Sequence, residues 1–402
     1  MSVSSGLAFG ERYRTVPETT IVGMLRLLGF ALEPDVAYAE RTVQQALGRW
    51  ITGGLEYTTD SSGQRCFDSV EVIHFLKRAG VAAQDPFWEQ HYVSTARRVV
   101  TELGSMPGDV VEVELCRTIS VNAPPGKAVR LRAPAPLPGV HGGSLSITNI
   151  AAEGLDDIRV AAACGRVEAR GLSRGRGEAV IRVTYKFPRN SASVDPPGPL
   201  YVEPREGLIV VTAEIKRLAE YLAGSAPHRE AALRNFWTYM ISELKSGPIH
   251  HDQLDPGAPC DWIVRCRWCD CLLASALFVA LCRAINIPAR IVGGYFLYPK
   301  APTSHYWAEA WLDALGWLPV DFVCWDLSLA GQDPTWSNRF FGRIDARMVV
   351  ERLPLEFTGP IGAKIPAAWR LIQTPAVDGA RIDLEGIDGL RVTSDEVKVR
   401  IR

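Results

Sequence analysis

The run LLASALFVAL, Leu272 to Leu281, is the longest nearly apolar stretch in the chain, and Arg283 follows it closely. A bilayer-spanning helix needs about 20 apolar residues, so this stretch reads instead as a buried helix that other elements must cover on every side. The residues after it supply a cover. IPARIVGGYFLY, HYWAEAWLD and GWLPVDFV alternate apolar and polar positions and are separated by turn formers, as neighbouring antiparallel strands do. A buried helix packed on such a sheet is an α+β core.

The preceding residues divide into two further regions. Residues 1–104 read mainly as helix: DSVEVIHFLKRAG opens with Asp68 and Glu71 in capping-box spacing, and DPFWEQHYVSTARRVVTELG repeats the pattern with Asp85 as cap and Pro86 at the first helical position. From Asp109 the period changes from helical to two. VVEVELCRTISV, AVRLRAP, SLSITNI, DIRVAAA, RVEARGL and AVIRVTYKF predict a β-sandwich-like module over residues 105–190. The turn-rich stretch Pro188 to Gly207 marks a boundary, the core is expected over residues 191–345, and residues 346–402 form a C-terminal extension ending in one or two hairpins. With 402 residues, two or three domains fit the length.

Charge excludes some classes of partner. The chain carries 44 Lys plus Arg against 45 Asp plus Glu, a formal net charge of -1, so the whole molecule has no field that would draw nucleic acid or an anionic membrane. The N-terminal MSVSSGLAFGERYRTV lacks the basic and apolar regions of a secretory signal, which leads us to expect a cytoplasmic protein. In that setting nine cysteines point to reduced thiols rather than a disulfide framework.

One of those thiols stands in a chemical pattern. Cys271 begins the buried helix, where unpaired backbone amides and the helix dipole are expected to favour a thiolate. On the HYWAEAWLD strand, His305, Trp307, Glu309 and Trp311 share one face, and Asp321 closes the next strand, where antiparallel pairing sets its carboxylate against the His305 ring. Taken singly, each has a plain structural reading: a packed cysteine, a core histidine, a turn aspartate. Together they make a nucleophilic relay of thiol, imidazole and carboxylate.

The combined pattern resembles the transglutaminase-like superfamily: a cysteine at a helix start, a leucine-rich helix, an Ile-Pro-Ala-Arg turn, a His-x-Trp-x-Glu strand and a Gly-Trp-x-x-x-Asp strand. Here these stand as CLLASALFVALCRAINIPAR (Cys271 to Arg290), HYWAEAW (His305 to Trp311) and GWLPVD (Gly316 to Asp321). The resemblance covers about Gly207 to Trp336 and implies a transglutaminase-like (papain-like) α+β core. It implies cysteine-dependent acyl transfer through Cys271, His305 and Asp321, with Trp307, Glu309, Trp311, Trp317, Trp268 and Cys269 binding substrate or supporting the site. No cofactor and no metal are called for. The expected partners are an acyl donor, either a peptide amide or a carrier-bound thioester, and an amine acceptor. Hydrolysis by water and a non-catalytic scaffold are the alternatives. In one departure, Cys269 stands where many members carry glycine two residues before the nucleophile.

Cys260, Cys266, Cys269 and Cys271 have a spacing that a zinc or iron-sulfur site would use, but a structural zinc site usually repeats a paired Cys-x-x-Cys knuckle, whereas Cys269 and Cys271 would share one turn with side chains pointing apart, and the superfamily match already accounts for Cys271. His250 and His251 read as surface loop, and the basic bias from Arg159 to Arg189 as solvated strand faces. GRGEAV lacks the Lys-Ser or Lys-Thr of a phosphate loop.

Overall fold

The fold was analysed in a computed structural model. It describes residues 15–22, 25, 36–78, 87, 108–137, 146–163, 166–189, 195–247, 249, 254–255, 257–297, 303–322, 340–343, 347–353, 376–377, 380–381 and 390–402. The N-terminal region contains helices α1 (Val36–Thr52) and α2 (Ser69–Arg78). Asp68 caps α2, its Oδ1 accepting from the Val70 amide at 2.8 Å. Between the helices lie the short strands Thr58–Thr59 and Arg65–Asp68, which form a three-stranded sheet with Thr15–Pro17. The second predicted helix, Asp85 to Gly104, lies outside the described residues except for Phe87. Trp50, Phe67, Leu76 and Phe87 centre the core of this region, and Trp268, from just before the buried Leu272–Leu281 helix, joins it.

Six strands follow: β1 (Val110–Asn122), β2 (Ala128–Pro134), β3 (Ser146–Glu153), β4 (Leu155–Ala163), β5 (Arg166–Ser173) and β6 (Arg176–Pro188), of which β1, β2 and β6 alternate in burial as their sequence alternates. In β1 every second residue from Val111 to Val121 is buried, including Arg117, whose guanidinium donates to the Arg132 carbonyl at 2.9 Å. The strands form two sheets. One runs β2, β5, β4 and extends beyond β2 with the short pair Ala376–Val377 and Ala380–Arg381; the other runs β1, β6, β3.

The core region begins with three helices, α3 (Ala213–Ala223), α4 (Arg229–Glu243) and α5 (Pro259–Cys266), and continues into α6 (Cys271–Ala284). Every residue of α6 from Leu272 to Arg283 is buried. Asp270 caps it, accepting from the Leu273 amide at 2.8 Å. A left-handed Asn286 ends it before Pro288. The chain then forms β7 (Ala289–Phe296), β8 (Thr303–Leu312), β9 (Gly316–Val320) and β10 (Arg347–Leu353), an antiparallel sheet of order β9-β8-β7-β10. Helix α6 packs on β8 and β7.

At Gly294, directly opposite His305, the β7–β10 register shifts. A Cβ there would strike the Met348 carbonyl, so only glycine lets β10 come this close.

The C-terminal extension does not stand apart. Its last strand, β11 (Leu390–Ile401), returns to pair with β1 from Leu390↔Val121 to Ile401↔Val111, so the β module is assembled from two distant parts of the chain. Alternation alone cannot disclose that closure, because it shows a strand's faces and not its neighbour.

Candidate active site

One end of the β7–β10 sheet gathers a residue from each strand. His305 lies on β8, Phe296 ends β7, Asp321 follows β9, and Arg347 begins β10. His305 Nε2 lies 3.0 Å from both carboxylate oxygens of Asp321. Both residues are buried, at 4% and 2% exposure, so their interaction is scarcely screened by solvent. The His305 ring stacks on Phe296 at 4.0 Å between centroids, with Trp307 beyond it at 6.5 Å. With Nε2 engaged by the carboxylate, Nδ1 is the ring nitrogen left to exchange a proton.

Cys271 is the first residue of α6 and is half-buried. Its thiol is approached by the backbone amides of Leu272, on its own helix, and of Tyr306, the residue after His305. The helix start and the strand start are thereby joined at the sulfur.

The expected thiolate is not favoured here. Burial pushes the Cys271 thiol well above its usual value, and the Asp270 and Asp321 carboxylates push it further, outweighing the pull of the two amides. Burial likewise holds His305 below its ordinary value, against the opposing pull of Asp321. Both shifts favour the neutral forms of thiol and imidazole.

The other predicted residues separate into different places. Trp307 stays beside His305 and packs with Val292 and Val349. Glu309 pairs across the sheet with buried Arg290, at 2.7 Å from Nη2, and Arg290 stacks over Trp317 at 3.7 Å. Trp311 meets Trp317 edge-on at 5.5 Å, and Trp317 Nε1 donates to the Asp195 carbonyl at 2.7 Å. Glu309, Trp311 and Trp317 thus bind the segment before α3 to the sheet. Glu309, four residues along β8 from His305, lies about 13 Å away. Trp268 belongs to the N-terminal core, edge-on to His74 at 4.0 Å.

The cysteines near the nucleophile have separate partners. The Cys269 thiol faces the Lys245 carbonyl at 3.9 Å, and the Cys260 thiol, pushed up to about 12 by burial, faces that of Leu208 at 3.5 Å. Among the described residues no three His, Cys, Asp or Glu side chains gather as metal ligands. His250 and His251 lie outside the described residues.

Three site residues carried no sequence signal that we read: Phe296, Asp270 and Arg347. The first was legible in principle, since Phe296 ends the strand that pairs with the His305 strand.

A family profile described as the transglutaminase-like superfamily matches residues 216–322. These residues form a transglutaminase-like core. Among solved structures, the chain is similar to a candidate cysteine protease from Cytophaga hutchinsonii, with 13% identity over 73% of this chain and 91% of that one, and a TM-score of 0.46. It is also similar to the periplasmic domain of TgpA from Pseudomonas aeruginosa, with 17% identity over 58% of this chain and 92% of that one, and a TM-score of 0.30. No curated protein matches the chain. Within the transglutaminase-like core the profile ends at residue 322, so Arg347 lies beyond it.

Proposed function

We propose that this chain is a cysteine-dependent acyltransferase that joins an acyl group to an amine. The observation that carries this reading is the buried contact of His305 with Asp321 beside the residue whose backbone amide meets the Cys271 thiol. In this reading His305 Nδ1 takes the proton of the Cys271 thiol as sulfur attacks the carbonyl carbon of a peptide amide or carrier-bound thioester. The imidazolium, steadied by Asp321, then gives that proton to the departing amine or thiol, leaving a thioester on Cys271. An amine attacks the thioester, its proton passes to His305, and the sulfur leaves and regains a proton as the new amide forms. The aromatic wall of Phe296 and Trp307 favours transfer over hydrolysis, because excluding water prolongs the thioester.

The test is partitioning. The protein is screened with peptide amides, glutamine donors and carrier-protein thioesters, the acyl-enzyme is trapped on Cys271 by mass spectrometry, and its decay is followed with and without a panel of amines. Amines should accelerate decay and appear in the product, while Cys271→Ala forms no adduct. Fast decay in water that no amine accelerates would make the enzyme a hydrolase.

A further inference from the structure

The charge at the end of this site is not that of a histidine and a carboxylate alone. The Arg347 guanidinium, from β10, places Nη2 2.6 Å from Asp321 Oδ2. In the sheet order β9-β8-β7-β10, Arg347 and Asp321 start three strand spacings apart, about 14 Å. The side chain crosses that span by lying flat over the Phe296 ring, 3.8 Å from its centroid, with Trp307 at 5.1 Å. Phe296 is itself stacked on His305, so guanidinium, phenyl ring and imidazole form three successive layers while Asp321 touches both outer ones. Arg347 is buried, with 4% of its side chain exposed. A guanidinium is always charged and costly to bury, so holding one here needs a compensating partner, and Asp321 is that partner.

We propose that Arg347 is a positioning residue of this site: by sharing the Asp321 carboxylate with His305 it offsets the charge that would otherwise draw a proton onto the imidazole, and so sets His305 to act as a base. The proposal rests on the acyl-transfer reading for its chemical meaning. Its electrostatics stand separately. The charged groups that act on His305 are Asp321 after β9, Arg347 on β10 and Asp270 before α6, and β7 packs the uncharged Phe296 against the ring. Asp321 and Asp270 attract a proton to the ring and Arg347 repels it. Without Arg347 two carboxylates would act on the imidazole with no cation against them. Burial would still disfavour the imidazolium, but the pull of the two carboxylates would meet less resistance, and His305 would stay a neutral base over a narrower range of pH.

The test is a histidine-ring NMR titration of the full chain, with the His305 resonance assigned by its loss in His305→Gln. The wild-type midpoint should lie below the ordinary histidine value of about 6.5. Arg347→Met should raise it by about one pH unit or more. Arg347→Lys, which keeps the charge, should stay with the wild type. Asp321→Asn alone should move the midpoint the opposite way, downward, because it removes the carboxylate charge that Arg347 offsets. A folded Arg347→Met protein with an unmoved midpoint overturns the proposal. If the Met variant does not fold, Arg347→Lys decides: a midpoint that stays supports the proposal, and one that rises by about one pH unit overturns it. This readout needs neither substrate nor Cys271, so it can fail while acyl transfer succeeds, and the reverse.

Discussion

A thiol held above its ordinary value and an imidazole held below it both favour their neutral forms, and this decides how Cys271 and His305 answer pH. His305 serves as base only when neutral. Because its pKa lies below the usual 6.5, the neutral form persists as pH falls through that value and is lost only further down. The acid limb of kcat/KM is therefore expected below pH 6.5. The sign for the thiol is opposite: its pKa lies above the usual 9.0, so thiolate accumulates only when pH rises past that value. Alkylation of Cys271 by iodoacetamide, followed on its own peptide by mass spectrometry, should keep climbing through pH 9.0. A rate already level from about pH 5 to 8 would show a standing thiolate–imidazolium pair and contradict the reading.

At the scale of elements, the start of α6 joins a structural duty to an electrostatic one in Asp270. Its carboxylate caps the helix by accepting from the Leu273 amide, and its charge raises both the Cys271 thiol and His305. The two duties separate by substitution. Asp270→Asn keeps a capping oxygen and removes the charge, so chemical denaturation should change little while the pH profile of Cys271 alkylation moves to lower pH. Asp270→Ala loses both and should cost about 1 kcal/mol of stability. Equal destabilisation with no change in alkylation for either variant would leave Asp270 a cap alone. The sequence made much of this element legible. LLASALFVAL could only be a buried helix, and the alternation in HYWAEAWLD correctly set His305 and Trp307 on one face. Contacts across the sheet were hidden. Arg347 is 26 residues beyond Asp321 and meets it by reaching over two intervening strands, a distance no local period encodes. The same limit misplaced Trp268, which is adjacent in sequence to the nucleophile loop but is drawn into the N-terminal core by the apolar surface that α1 and α2 must bury. The direction of the Cys271 shift was also out of reach, since a helix-start argument contains no measure of burial.

At the scale of the molecule, the β module and the transglutaminase-like core share one continuous apolar core, and the module also reaches the site's own sheet. Leu137, just past β2, donates its amide to the Val349 carbonyl at 2.8 Å and packs beside Trp307. Val349 lies two residues from Arg347 on β10, so the module braces the strand that carries the guanidinium. The module in turn depends on the end of the chain. β11 covers the long edge of β1, and just past it the main chains of Val110 and Arg402 exchange hydrogen bonds of 3.0 and 2.9 Å. Removing residues 390–402 would bare the donors and acceptors along that edge of β1, where alternate side chains are apolar, and such an edge recruits strands from other molecules. A chain ending at Gly389 is expected to aggregate and, in whatever fraction stays soluble, to melt at lower temperature than the full chain. Its acyl-enzyme yield should fall as well, because a loosened module no longer fixes β10 behind His305. Light scattering, thermal melting and Cys271 trapping on the two chains measure these effects together. A soluble truncated chain with unchanged melting would show that β11 is dispensable, and unchanged trapping would show that the site does not depend on the module.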